Sequence, residues 1–256
     1  MKAFTRAVSP RLAECQLTHL QRVPIDAAKA AEQHSAYERA LADAGFEVVR
    51  LPELANDPDA VFVEDTALLL DGHALITRPG AASRIGETES TAAGLAGGFD
   101  MYRIESGYLD GGDVLRVGRT LYVGLSTRTN MKGINGLRAL AAPLGFEVVR
   151  AELRACLHLK TGATFAGPDA SGTPVLLYDK GSVDPAQFAG VEPLAVEEPP
   201  AANCVRAGER LILPAANPRT AECLRNRGFD VVEVDVSELQ KAEAGVTCMS
   251  LIDDRT

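Results

Sequence analysis

What the chain lacks narrows its function before any motif is read. Across 256 residues there is no run of lysine and arginine, and the formal charge is −9 at pH 7. The long-range field therefore repels phosphate backbones and anionic bilayers and favours small cations, so neither nucleic acid nor a membrane is an expected partner. No stretch approaches the ~20 consecutive apolar residues that span a bilayer. The first twenty residues, MKAFTRAVSPRLAECQLTHL, hold no continuous apolar region of the kind a secretory leader needs, so the expected location is cytoplasmic. Five cysteines, Cys15, Cys156, Cys204, Cys223 and Cys248, show no CxxC spacing. This argues against a zinc ribbon and against a disulfide framework, and leaves buried thiols as the ordinary state of most of them. The GGD at Gly111 to Asp113 runs on into a strand and lacks a GxGxxG-helix context, which weakens a dinucleotide-binding reading.

What the chain has is a repeat. GFEVV at Gly45, GFEVV at Gly145 and GFDVV at Gly228 are joined by the fainter copies GFDMY at Gly98 and GVEPL at Gly190. Each follows a helix-like segment: HSAYERALADAG, ETESTAAGLAGG, INGLRALAAPLG, DPAQFAG and RTAECLRNRG. A glycine at the C′ position closes a helix in the left-handed conformation, and the Phe/Val-rich run after it has strand propensity. Asp184-Pro185 supports the fourth and shortest helix, with Asp as N-cap and Pro at the first helical position.

After each of these strands comes a pair of apolar runs with turn residues between them, as in AVFVEDTALLLDGHALIT and DGGDVLRVGRTLYVG, which read as hairpins. The fifth copy has one run only, GVTCMSLI, and the N-terminal MKAFTRAV is the candidate to complete it. The expected fold is a single α/β domain over residues 1–256, a ring of five helix-plus-sheet units closed by the two termini. A doubly wound sheet is the alternative; the recurring hairpins favour the ring.

Groups capable of catalysis recur at the start of the first hairpin strand. Unit one has Glu64 and Asp65, unit two has Asp110 and Asp113, unit three has His158 and unit five has Cys248. In a ring these starts face one centre. A thiolate is a nucleophile, a histidine handles protons near neutral pH, and a carboxylate orients an imidazole, roles that Cys248, His158 and Asp110 can fill. In VFVEDTALLL two adjacent acids interrupt an apolar strand whose neighbours alternate faces, so one of Glu64 and Asp65 is expected to point inward and to need a cationic partner. Asp59 lies on the approach to the same strand. Arg84 and Arg128 follow the hairpins of units one and two, and arginine forks suit a substrate carboxylate.

The ordered motifs FVEDTA, LITRPGAASR, LDGGDVL, VGLSTRTN, LHLKTG, AANC and VTCMSL, running from near Arg6 to near Ile252, resemble those of the dimethylarginine dimethylaminohydrolases of the pentein superfamily. The resemblance implies a five-bladed, pseudo-symmetric α/β propeller. It also implies hydrolysis of Nω-methylated arginines to citrulline plus methylamine or dimethylamine, with no metal and no organic cofactor. Cys248 would then be the nucleophile, His158 the general acid/base and Asp110 its supporting acid. Asp59, Glu64 and Asp65 would line the guanidinium pocket, and Arg84 and Arg128 would hold the amino-acid carboxylate. Leu17 would sit in a lid and Ala242 at a backbone-contact position. The implied partner is a small cationic guanidino compound; the sequence fixes no oligomeric state and leaves a homodimer open. A related guanidino enzyme, namely an arginine deiminase, an arginine dihydrolase or an amidinotransferase, and a silent binder of arginine analogues are the competing readings.

Overall fold

The computed structural model describes residues 1–196, 198 and 202–255. Its strands form five three-stranded sheets set around a common centre. The closing blade pairs strand β1 (Lys2–Thr5) in parallel with β2 (Glu47–Arg50), and antiparallel with the last strand, β15 (Leu251–Asp253). Ala3 is thus flanked by Ile252 on one side and Val48 on the other, so the two termini complete the ring.

The other blades repeat one plan. They comprise β3 (Ala67–Leu70), β4 (His73–Ile76) and β5 (Asp100–Arg103); β6 (Val114–Val117), β7 (Thr120–Leu125) and β8 (Glu147–Glu152); β9 (Ala163–Pro168), β10 (Pro174–Tyr178) and β11 (Glu192–Ala195); and β12 (Val205–Ala207), β13 (Arg210–Pro214) and β14 (Asp230–Val234). The first two strands of each make an antiparallel hairpin, and the third lies parallel to the second. Parallel neighbours need a crossover, which the helices supply: α1 (Ala27–Asp43), α2 (Glu87–Leu95) and α3 (Met131–Ala141) each bridge the last two strands of a blade.

One-turn α4 (Leu159–Gly162) belongs to the ring centre instead, whereas α5 (Pro218–Asn226) is the crossover of the fourth blade and α6 (Ser237–Gln240) precedes the last turn. The crossover of the third blade shrinks to a 3-10 turn, Pro185–Gln187, with the Asp184 carboxylate accepting from Ala186 N–H at 3.0 Å. The blade boundary differs from that read in the repeat: the Gly-Phe strand pairs with the hairpin that precedes it. The parallel crossover is the bond that sets this phase, and local patterning does not contain it.

The glycine before each such strand does the expected work, as at Gly145, whose φ of 80° follows the 3-10 turn Ala142–Leu144. In the second unit Gly97 (φ 81°) takes the left-handed conformation, one residue ahead of the repeat's own glycine. Each crossover helix buries one face on its blade. On α3 this face is Ile134, Leu137 and Ala141, against Leu121, Val123, Phe146 and Val148. Truncating the fully buried Leu137 to alanine is expected to cost about 2–5 kcal/mol.

The hairpins do not begin as strands at the centre. Short turns precede β3, β6, β9 and β15: the 3-10 turns Val63–Thr66, Gly111–Asp113 and Thr247–Met249, and α4. Glu64 and Asp65 therefore lie in a 3-10 turn, which Thr66 Oγ1 closes by donating to Val63 O at 2.6 Å. The strand alternation expected for them does not apply, and both acids are buried.

Candidate active site

A cleft at one mouth of the ring is lined by Asp59, Asp65, Arg84, Arg128, His158, Ala242 and Cys248, together with Gln16, Phe62, Leu157, Glu243 and Ala244. It encloses about 30 Å³, room for a water or two, so a ligand of arginine size requires the covering segment, residues 16–20, which bonds to Asp59, Arg128 and Glu243 of the cleft wall, to move.

His158 is the N-cap residue of α4, with extended backbone (φ −132°, ψ 157°) that aims its ring at the second blade. Its Nε2 lies 3.0 Å from Asp110 Oδ2 and 3.9 Å from Asp65 Oδ1. Asp110 is fully buried and does not line the cleft. Its Oδ1 accepts from Gly80 N–H at 2.8 Å, leaving Oδ2 for the imidazole. The two glycines after Asp110 are needed for close approach. A Cβ on Gly111 would come 1.9 Å from Glu64 O, and one on Gly112 would come 2.7 Å from His158 Nδ1. Asp113, behind the ring, accepts from Ser126 Oγ at 2.6 Å and from Leu159 N–H at 2.9 Å, which holds the peptide next to His158.

Burial works against an imidazolium here, but Asp65, the hydrogen bond to Asp110 and the charges of Asp113 and Asp110 outweigh it, raising His158 to about 9. Burial pushes the Cys248 thiol up to about 12, reinforced by Glu64 and Asp65 and opposed by Gly245 N–H, 3.4 Å from Sγ, and by Lys160. At neutral pH the cleft thus holds a neutral thiol and an imidazolium. Burial raises Asp113 to about 6 as well.

Arg84 is buried and heavily engaged. Its Nη1 donates to Asp65 at 2.6 Å, Nε and Nη2 to Glu87 at 3.1 and 2.9 Å, and Nη2 also to Phe62 O at 2.8 Å. Of its five N–H groups, the second on Nη1 has no acceptor among the described residues. Burial raises Asp65, but His158, Arg84 and Gly112 N–H together hold it below the usual carboxylate range. Asp59 is raised by burial and accepts from Gln16 N–H at 3.1 Å. Arg128 is half-buried and donates to Thr18 Oγ1 at 3.1 Å.

The covering segment is anchored through Glu243 as well. The carboxylate accepts from Thr18 N–H at 3.0 Å and from His19 and Leu20 N–H at 2.5 Å, while Glu243 itself has φ 61°. Leu17, between these contacts, is half-buried against the core rather than in the cleft wall. Glu64 also turns away from the cleft. It faces a channel of about 610 Å³ that enters from the opposite side of the ring, and meets Lys160 Nζ at 2.6 Å and Thr247 Oγ1 at 2.8 Å.

Ligand-type atoms of Asp65, Asp110 and His158 lie within 4.8 Å of one another. Their charge is met by Arg84, by the Gly80 and Gly112 N–H groups and by the imidazolium itself. Three contributors were not singled out in the sequence: Glu87, Glu243 and Lys160. The three-residue spacing of Arg84 and Glu87 was the available signal for the first.

A five-bladed α/β ring with a thiol, an imidazole and buried acids on one central cleft defines a pentein of the guanidino-modifying kind. The family described as N,N dimethylarginine dimethylhydrolase, eukaryotic, matches residues 14–161. An N(G),N(G)-dimethylarginine dimethylaminohydrolase of Streptomyces coelicolor is 42% identical over 98% of this chain and 96% of its own length. One of Pseudomonas aeruginosa is 40% identical over 88% of this chain and 89% of its own. Among solved structures, the Pseudomonas aeruginosa enzyme, as a cysteine-to-serine mutant complexed with citrulline, superposes with a TM-score of 0.91 at 37% identity, covering 98% of both chains. The chain belongs to the dimethylarginine dimethylaminohydrolase family.

Proposed function

We propose that the protein hydrolyses Nω-methylated arginine, asymmetric dimethylarginine or monomethylarginine, to citrulline and the corresponding amine. The observation that carries the reading is the placement of Cys248 and His158 on one cleft, with His158 hydrogen-bonded to Asp110 at 3.0 Å and Asp65 facing the same space. Family membership supplies the substrate class, since the relatives' names specify dimethylarginine.

In this reading the substrate guanidinium enters between Asp65, Asp59 and Cys248, and its positive charge favours loss of the thiol proton to solvent. The thiolate bonds to the guanidinium carbon. His158, protonated at neutral pH, gives its proton to the nitrogen that leaves as dimethylamine while the C–N bond breaks, leaving an S-alkylthiouronium on Cys248. The neutral imidazole then takes a proton from water as the water oxygen bonds to the same carbon. The C–S bond breaks, the thiolate returns and citrulline forms after loss of one proton. Asp110 fixes the ring and favours its charged form. Arg128 and the free Nη1 hydrogen of Arg84 would take the amino-acid carboxylate, with Ala242 lending its backbone beside it and Leu17 belonging to the cover.

No helix among the described residues is long and apolar enough to cross a membrane. With five free cysteines, the cytoplasm is the compartment we propose.

Citrulline release from arginine, monomethylarginine and asymmetric dimethylarginine, beside N-carbamoylputrescine release from agmatine, tests the assignment. Turnover confined to the methylated compounds is expected. Strong turnover of plain arginine with the methylated compounds inert would move the protein to the deiminases or dihydrolases, and ligand retention without any turnover would make it a binding protein.

A further inference from the structure

Among the described residues the fourth blade contributes no titratable group to the cleft, yet the residue at its inner start, Asn203, touches both turns that carry the reacting side chains. Its Nδ2 donates to Lys160 O at 2.8 Å, in the turn that begins at His158, and to Thr247 Oγ1 at 3.0 Å, beside Cys248. Its Oδ1 accepts from Thr247 N–H at 3.1 Å. The amide also lies against Gly245, where a Cβ would come 2.3 Å from Asn203 Oδ1, and Gly245 N–H is the donor to Cys248 Sγ. Asn203 is 4% exposed, and both amide nitrogen hydrogens and the amide oxygen are used.

The contacts continue into a belt beneath the cleft. Thr247 Oγ1 donates onward to Glu64 Oε2 at 2.8 Å, and Glu64 Oε1 meets Lys160 Nζ at 2.6 Å, which returns the chain of contacts to the α4 turn. Glu64, Lys160 and Thr247 face the rear channel, whereas Asp65, His158 and Cys248, each one or two residues away, face the cleft. The belt is therefore the floor that separates cleft from channel. Glu64 joins the two catalytic turns through their side chains, and Asn203 joins them through the backbone of each, Lys160 O and Thr247 N–H.

We infer that Asn203 is a positioning residue, whose amide sets the spacing of Cys248 and His158 by clamping the 245–248 turn to the α4 turn. The inference rests on the thiol-imidazole reading above. An amide suits the task because it donates and accepts at once. A carboxylate would keep the bond from Thr247 N–H and lose those to Lys160 O and Thr247 Oγ1, and an apolar side chain would lose all three. Misplacement of a nucleophile by about 1 Å costs on the order of 100-fold in rate.

The test compares the full-length protein with Asn203→Asp, Asn203→Ala, Thr247→Val and the Asn203→Ala/Thr247→Val pair. Turnover of asymmetric dimethylarginine is expressed per Cys248 thiol, titrated by iodoacetamide inactivation. Both Asn203 variants are expected to lose roughly 30- to 100-fold in kcat per titrated thiol, with KM within about threefold. The pair should fall well short of the product of its single effects, because both changes break one contact. A merely structural role would lower the titratable fraction and the melting temperature while leaving kcat per titrated thiol unchanged, and would overturn the inference. Full kcat in Asn203→Asp, which keeps the Cys248 side of the clamp only, would overturn it too. A dead Cys248→Ser beside a fully active Asn203→Ala condemns this inference alone; an active Cys248→Ser condemns the reading beneath it.

Discussion

Asp110 Oδ2 stands 3.0 Å from His158 Nε2, while the other oxygen of the same carboxylate is fixed by Gly80 N–H at 2.8 Å. The acid cannot rotate without giving up one of these bonds, so the imidazole is held in one orientation and its charged form is favoured. Asp110→Asn keeps an acceptor for Gly80 N–H but removes the charge. Its kcat is expected to fall by roughly 10²–10⁴-fold through loss of orientation and of the favoured protonation state.

The same pair is expected to set the alkaline limit of activity. In the proposed mechanism a protonated His158 releases the amine, and its folded value of about 9 lies above the ordinary imidazole range. Activity should therefore persist to about pH 9 in the parent protein and decline above it. In Asp110→Asn the alkaline limb of the kcat profile should move to lower pH. A limb that stays in place would detach Asp110 from the His158 proton. By linkage, the stabilisation that charged His158 gives the fold is complete below the unfolded imidazole value and disappears as pH rises through about 9. Denaturant unfolding of the parent should accordingly lose stability over that window relative to His158→Ala.

Arg84 lies between two acids, 2.6 Å from Asp65 and 2.9 Å from Glu87, with all three side chains buried. Arg84→Met strands both carboxylates, and removal of one partner from a buried ionic group costs about 3–5 kcal/mol. The expected result is a lower urea midpoint with unchanged m-value, together with a raised KM. A variant as stable as the parent would show that the cluster relaxes by taking up protons or water.

Glu243 holds the covering segment through three successive backbone N–H groups while its own backbone sits at φ 61°. The left-handed conformation costs a non-glycine residue roughly 1–2 kcal/mol. Glu243→Gly removes that strain and the carboxylate together. It should melt no lower than the parent, yet be cut several-fold faster by trypsin after the exposed Arg22 and bind substrate more weakly. Unchanged cleavage would mean that Asp59 and Arg128 suffice to hold the segment.

Much of this was legible in the sequence because repetition exposes it. The Gly-Phe strands, the hairpins and the orphan run at Val246 to Ile252 point to a ring closed by its termini, and the blade starts locate Cys248, His158, Asp110 and Asp65. Three features were not legible, each for a local reason. Glu64 faces the rear channel and Asp65 the cleft from a 3-10 turn, Val63–Thr66, that leaves no mark in an apolar run reading as a strand, so which acid takes which side is not written in the sequence. The Glu243 conformation has no sequence mark, since nothing in its type favours positive φ. Asn203 carries no charge and sits in the blade with no reacting group, so only its bonds to Lys160 O and Thr247 disclose it.

The central claim is that Cys248 forms a covalent bond to the guanidinium carbon. Rapid acid quench during turnover of asymmetric dimethylarginine, followed by peptide mass mapping, tests this most directly. The account predicts one adduct, on Cys248, with the mass of the substrate less dimethylamine, absent from Cys248→Ser, which should also release no citrulline. Citrulline release by Cys248→Ser at the parent rate, or an adduct on another residue such as Cys156, would contradict it.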